Sequence, residues 1–172
     1  MNMSKAIFLA LSLILFASCG KDACNEIECE NGGTCMEGTC ECPPEYVGNL
    51  CQYIDVGDYL GTYQMTYEGC FQASPDHKVT VAESVDEWET VILGGLGDYA
   101  CPGGKLEISA KVGLNSISIP TQTICAEGNF EGYTYMGEGT RQGDTLNLSF
   151  SVTYDADGVA RQDNCTATMV KE

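Results

Sequence analysis

The sequence predicts a mainly β chain in two parts: a small disulfide-stapled module, then an antiparallel barrel of eight strands, with a two-sheet sandwich as the alternative. Three observations carry this. Six of the eleven cysteines fall within residues 24–51. Behind them, short segments of period-two alternation recur between Gly, Asp, Asn and Pro. No stretch shows the apolar spacing of an amphipathic helix of about ten or more residues.

The first element is a leader, residues 1–18. One charge, Lys5, precedes the apolar run Ala6 to Ala17, which is shorter than the about 20 residues needed to cross a hydrocarbon core. A charged start, a short apolar centre and small residues at the end are the pattern of a secretory signal. Cys19 follows Phe16-Ala17-Ser18 directly. This resembles the lipobox of bacterial lipoproteins, which implies cleavage before Cys19, diacylglycerol on its thiol and 19–23 as a lipidated tether. The odd cysteine count agrees, since setting Cys19 apart leaves ten to pair. Without the leader the chain carries seven basic against 25 acidic residues, a net charge near −18. That excludes nucleic acid and anionic headgroups as partners and suits a solvated surface.

Residues 24–51 form the second element. Export makes Cys24, Cys29, Cys35, Cys40, Cys42 and Cys51 a disulfide framework rather than a metal site. Fewer than about 40 residues rarely hold a core without such staples. Asn31-Gly32-Gly33-Thr34-Cys35 and Cys40-Glu41-Cys42, followed by Tyr46, Gly48 and Cys51, resemble the EGF-like family. The resemblance implies Cys24–Cys35, Cys29–Cys40 and Cys42–Cys51, one of fifteen pairings that six cysteines allow. Calcium-binding members of that family carry an acid-rich approach and an Asp or Asn with an aromatic between the third and fourth cysteines. Lys21-Asp22-Ala23 and Met36-Glu37-Gly38-Thr39 supply neither, so no calcium is expected.

Residues 52–172 make up the barrel domain. Its clearest strand sets Leu146, Leu148, Phe150, Val152 and Tyr154 on one face and Asn147, Ser149, Ser151 and Thr153 on the other. Similar faces are Tyr63/Met65/Tyr67, Val79/Val81, Leu106/Ile108/Ala110, Ile117/Ile119 and Cys165/Ala167/Met169, with less regular strands at 88–93 and 130–138. Asp157-Gly158 is a hairpin signal. Eight sequential strands with short links favour closure, because closure removes the exposed edges. Gly61-Thr62-Tyr63, Ile119-Pro120-x-Gln122, Gly137-x-Gly139 and Cys165 resemble lipocalin-like domains of Gram-negative lipoproteins. Cys70, Cys101, Cys125 and Cys165 allow three pairings. A hairpin turning near Gly113, with Ile108 opposite Ile117 or Ile119, brings Cys101 and Cys125 together; closure then sets Cys70 beside Cys165.

Catalytic chemistry finds no foothold. His77 is the only histidine and lies in a polar stretch, and no serine sits in a nucleophile elbow. Zinc lacks ligands, and Asp155-x-Asp157-Gly158 lacks the later oxygens of a calcium loop. The expectation is a non-enzymatic protein without cofactor, held by lipid in a bacterial envelope, in the outer membrane facing either the periplasm or the outside. The module would be a stalk and the barrel would bind a protein, glycan or surface. The alternative is a carrier of a small apolar ligand lined by Tyr63, Met65, Tyr67, Trp88, Phe150 and Tyr154.

Overall fold

A computed structural model describes residues 23–70, 77–97, 99–102, 104–128 and 130–172. The leader and Cys19 lie outside the described residues. The chain divides into two units, the first reaching Pro43 and including Gly48–Gln52, the second comprising Pro44–Val47 and Tyr53–Glu172.

In the first unit β1 (Thr34–Met36) and β2 (Thr39–Glu41) form a hairpin with Cys35 opposite Cys40. Three disulfides stitch it: Cys24–Cys35, Cys29–Cys40 and Cys42–Cys51. Cys51 is fully buried, whereas Met36 and Leu50 are exposed. Crosslinks therefore stand in for an apolar core, as a segment this short requires.

The second unit opens with a two-stranded pair, β3 (Tyr46–Val47) and β4 (Tyr53–Ile54), and a 3₁₀ turn at Gly57–Tyr59. Eight strands follow: β5 (Gly61–Glu68), β6 (His77–Glu83), β7 (Thr90–Gly94), β8 (Glu107–Val112), β9 (Ser116–Ile124), β10 (Tyr133–Gln142), β11 (Thr145–Ala156) and β12 (Val159–Lys171). They form a closed antiparallel barrel in sequence order, with β12 returning to pair with β5 from Thr166↔Glu68 to Lys171↔Tyr63. The period-two pattern decides which way each side chain points. Leu146, Leu148, Phe150 and Val152 are buried while Asn147 and Ser149 are exposed. Asp157 and Gly158, at φ 57° and 78°, make the two-residue turn between β11 and β12. Cys70–Cys165 joins the chain just beyond β5 to β12, and Cys101–Cys125 joins the connections at the ends of β8 and β9.

The β8–β9 hairpin differs from the expected register. Val112 faces Ile117 and Lys111 faces Ser118, because the turn falls later in the chain, closed by the Gly113 N–H to the Ser116 carbonyl at 2.8 Å. The slip is an even number of residues, so both faces keep their sides. Further along, Pro120 has no N–H to donate, and the Gln122 amide bridges the gap. Its Oε1 accepts from the Ser109 N–H at 2.9 Å, and its Nε2 donates to the Ser109 carbonyl at 2.7 Å and the Pro120 carbonyl at 3.2 Å.

Candidate functional site

The barrel axis is occupied by side chains. Tyr63, Met65, Leu93, Ile108, Tyr135, Leu146 and Met169 are all below 2 % exposed, and Phe150 stacks on Tyr135 at 6.3 Å. Of the six residues expected to line a ligand cavity, Tyr63, Met65 and Phe150 belong to this packed interior. Tyr67 is half-buried, edge-on to His77 at 6.2 Å, and the His77 Nε2 meets the Gly95 carbonyl. Trp88 lies elsewhere. It sits in the β6–β7 loop, 60 % exposed, and stacks flat on Tyr53 at 4.8 Å, while neighbouring Glu89 accepts the Ile54 N–H at 3.0 Å. Trp88 precedes β7, and Glu89 at φ 55° breaks the chain's period between it and Val91, so the alternation of the strand does not extend to it.

One end of the barrel is closed by Tyr59, whose hydroxyl donates toward the carbonyls of Gly113 at 2.7 Å and Ser116 at 3.1 Å. Tyr63 in turn donates to the Tyr59 carbonyl at 2.9 Å. The Arg141 guanidinium lies 5.1 Å from the Tyr59 ring centre and pairs with Asp58 at 2.7 Å, while its Nε is buried with no hydrogen-bond partner. Burial holds the Tyr59 and Tyr63 hydroxyls above the ordinary tyrosine range, so both remain donors.

The opposite end carries the densest set of polar aromatic groups. Tyr154, with Tyr133 and Tyr135, projects there from β11 and β10, and Asp163 from β12. Tyr99 comes from the β7–β8 connection, on the far side from β12, which lies four places from β8 round the barrel. Its hydroxyl donates to Asp163 Oδ2 at 2.5 Å, and the Tyr154 hydroxyl reaches the same oxygen at 3.5 Å. The rings of Tyr99, Tyr133 and Tyr154 lie 4.9 to 5.9 Å apart. Tyr135 donates to the Leu96 carbonyl at 3.0 Å, and Leu96 is fully buried. Gly97, at φ 92°, leaves room for the Tyr99 ring, which a Cβ there would approach to 2.8 Å. Burial raises the Tyr99 pKa first, and its hydrogen bond to Asp163 raises it further; burial does the same for Tyr133, Tyr135 and Tyr154.

Of this end, only Tyr154 was expected from the sequence as a site residue. A signal for Asp163 and Arg141 exists: both fall on inward positions of alternating strands, Asp163 before Cys165 and Ala167, Arg141 after Tyr135, Gly137 and Gly139. A charge in an inward register is the mark that period-two reading can detect. Tyr133 shares the inward parity of Tyr135, whereas Tyr99 sits in a connection, where alternation carries no information.

Gly137 and Gly139 share the inward parity of Tyr135 on β10, where a side chain has no room. A Cβ on Gly137 would lie 2.5 Å from Phe150 Cβ, and one on Gly139 2.2 Å from the Asn147 carbonyl oxygen. Two open clefts, of about 940 Å³ and 700 Å³, overlie β10 and its neighbours and share Glu138, Ser149 and Thr166. Among the described residues no group of three or more His, Cys, Asp or Glu side chains is placed to hold a metal ion. No family model, curated protein or solved structure matches the chain.

Proposed function

We propose that the chain is a non-enzymatic, lipid-anchored envelope protein of Gram-negative type, in which an EGF-like module carries a lipocalin-like barrel that binds its partner through its surface. The observation that carries this reading is where space lies: large, fully buried side chains occupy the axis, while clefts of several hundred cubic ångströms open on the outer wall. Five disulfides suit an extracytoplasmic compartment, and the leader with Cys19 supplies a route there and an anchor. The acidic surface favours neutral or cationic partners over nucleic acid.

The test combines anchor and content. Cys19→Ala should leave the membrane fraction, and the released protein should show the bare polypeptide mass in a native mass spectrum. A variant still in membranes at wild-type mass sinks the anchor. A lipid retained on the released protein replaces surface binding by the carrier reading.

A further inference from the structure

We infer that the open face of Trp88 is a docking site for an arginine side chain of a partner protein, held by stacking on the indole and by the Glu83 and Asp86 carboxylates. This rests on the surface-binding reading above and names the chemistry of the partner. Trp88, 60 % exposed, lies parallel to Tyr53 at 4.8 Å, so one indole face is covered and the other meets solvent. The loop that carries it is pinned. The Ser84 N–H donates to the Thr90 carbonyl at 3.0 Å, and the Val112 N–H donates to the Glu89 carbonyl at 2.8 Å. The hydroxyl of buried Thr90 donates to the Trp88 carbonyl at 3.1 Å. A ring held in this way loses little further freedom on binding, which is the property of an interface anchor. Val85, 96 % exposed, adds apolar surface on the same loop.

Charge complementarity selects the occupant. Glu83, Asp86, Glu87 and Glu89 flank the indole in the chain. Lys111 already neutralises Glu87, and Glu89 accepts the Ile54 N–H. The Glu83 and Asp86 side chains are exposed and have no partner among the described residues. A guanidinium meets both features at once, because its plane stacks on an aromatic face while its N–H fork donates to carboxylates. An ammonium is a compact, strongly hydrated charge and makes less of the indole. Beside the loop, an open cleft of about 480 Å³ bordered by Asp86, Ser109, Pro120 and Gln122 gives the rest of the partner segment a place to lie.

The chain holds one tryptophan, so its emission reports on this site. The experiment uses the full mature chain at about 0.15 M salt, where a Debye length of about 8 Å screens the wider acidic surface. A dye-labelled peptide with two arginines should bind about tenfold more tightly than its citrulline counterpart. It should also bind several-fold more tightly than a lysine counterpart of equal charge, and the unlabelled arginine peptide should shift the Trp88 emission. Trp88→Leu keeps the net charge and should weaken the arginine peptide about tenfold, while Asp86→Asn should narrow the gap between arginine and citrulline. Equal affinity for the arginine and lysine peptides, or unchanged binding in Trp88→Leu, means diffuse attraction and overturns the inference. An emission that answers to maltohexaose and not to the arginine peptide also overturns it and makes the face a glycan site. If Trp88→Leu does not fold, Asp86→Asn decides: an unchanged gap overturns the inference. Failure in a protein of bare polypeptide mass overturns this site alone, whereas retained lipid overturns the surface reading beneath it.

Discussion

Replacing Gln122 probes how the barrel stays closed where β8 and β9 separate. The side chain makes two bonds to the Ser109 peptide and one to the Pro120 carbonyl, at 2.9, 2.7 and 3.2 Å. A typical bond contributes about 0.5–1.5 kcal/mol net, and groups that water can reach fall at the low end. Ser109 is exposed and Gln122 half-buried, so Gln122→Ala should cost about 1–2 kcal/mol. Gln122→Glu separates the roles. An ionised carboxylate still accepts from the Ser109 N–H but sets an acceptor against two carbonyls, while a protonated one restores a donor. The folded state then favours the protonated form, so the introduced carboxyl has a raised pKa. Its contribution is present below the unfolded value of about 4.3 and is lost as pH rises through the folded value. Urea denaturation reads both effects as a midpoint shift at constant m. Hydrogen exchange at the Ser109 amide localises them. A Gln122→Glu protein whose penalty is independent of pH, with Ser109 exchange unchanged, would refute the bridging role.

Three further outcomes follow from packing and titration. Gly139→Val places a side chain 2.2 Å from the Asn147 carbonyl, so it should destabilise by about 1–3 kcal/mol or more in denaturation, although Val is the better strand former. Reductant should unfold the first unit outright, because each bridge in a small domain contributes about 2–5 kcal/mol; the β signal of the barrel should persist in circular dichroism, and simultaneous loss of both would contradict this. Tyr59, Tyr63, Tyr99, Tyr133, Tyr135 and Tyr154 all have raised pKa values in the fold, so stability is retained below the unfolded value of about 10 and lost as pH rises through the folded values. Tyrosinate absorbance from these residues should appear together with unfolding, and a gradual rise in a folded barrel would count against their burial.

The barrel was readable because its signal is repeated. Strands such as Leu146–Tyr154 state their inner face by alternation alone, and eight of them with short links leave two edges that closure satisfies. Register was less readable. The β8–β9 faces survive an even slip, so nothing in the pattern distinguishes Ile117 opposite Ile108 from Ile117 opposite Val112; the turn at Gly113–Ser116 decides. Trp88 shows how composition misleads: a large aromatic suggests an interior, but it lies in the loop before β7, separated from Val91 by Glu89 at φ 55°, and stacks on Tyr53. The pairing of Tyr46–Val47 with Tyr53–Ile54, across Cys51, was not readable because two-residue strands have no period. At the mouth, Tyr99 reaches its partner 64 residues away through a connection, a contact that only the closed topology creates.

The charge balance yields a last prediction, on salt. The ion pairs Lys78–Glu172 and Lys111–Glu87, each 2.5 Å, join exposed side chains, and such pairs contribute about 0–1 kcal/mol apiece. Lys111 does hold Glu87 below the ordinary carboxylate range, through its hydrogen bond and then its charge, but in full solvent. Against them stand 25 acids and eight bases spread along the chain. Repulsion among those acids acts over many pairs at longer range, where screening is strongest: the Debye length shrinks from about 30 Å at about 0.01 M to about 10 Å at about 0.1 M. Salt therefore removes more repulsion than attraction. The urea midpoint of the barrel should rise with sodium chloride over that range, with urea used because guanidinium is itself a salt. A midpoint that falls would mean that the few exposed pairs outweigh the acidic excess, and the reading of the acids as a dispersed, mutually repelling surface would be wrong.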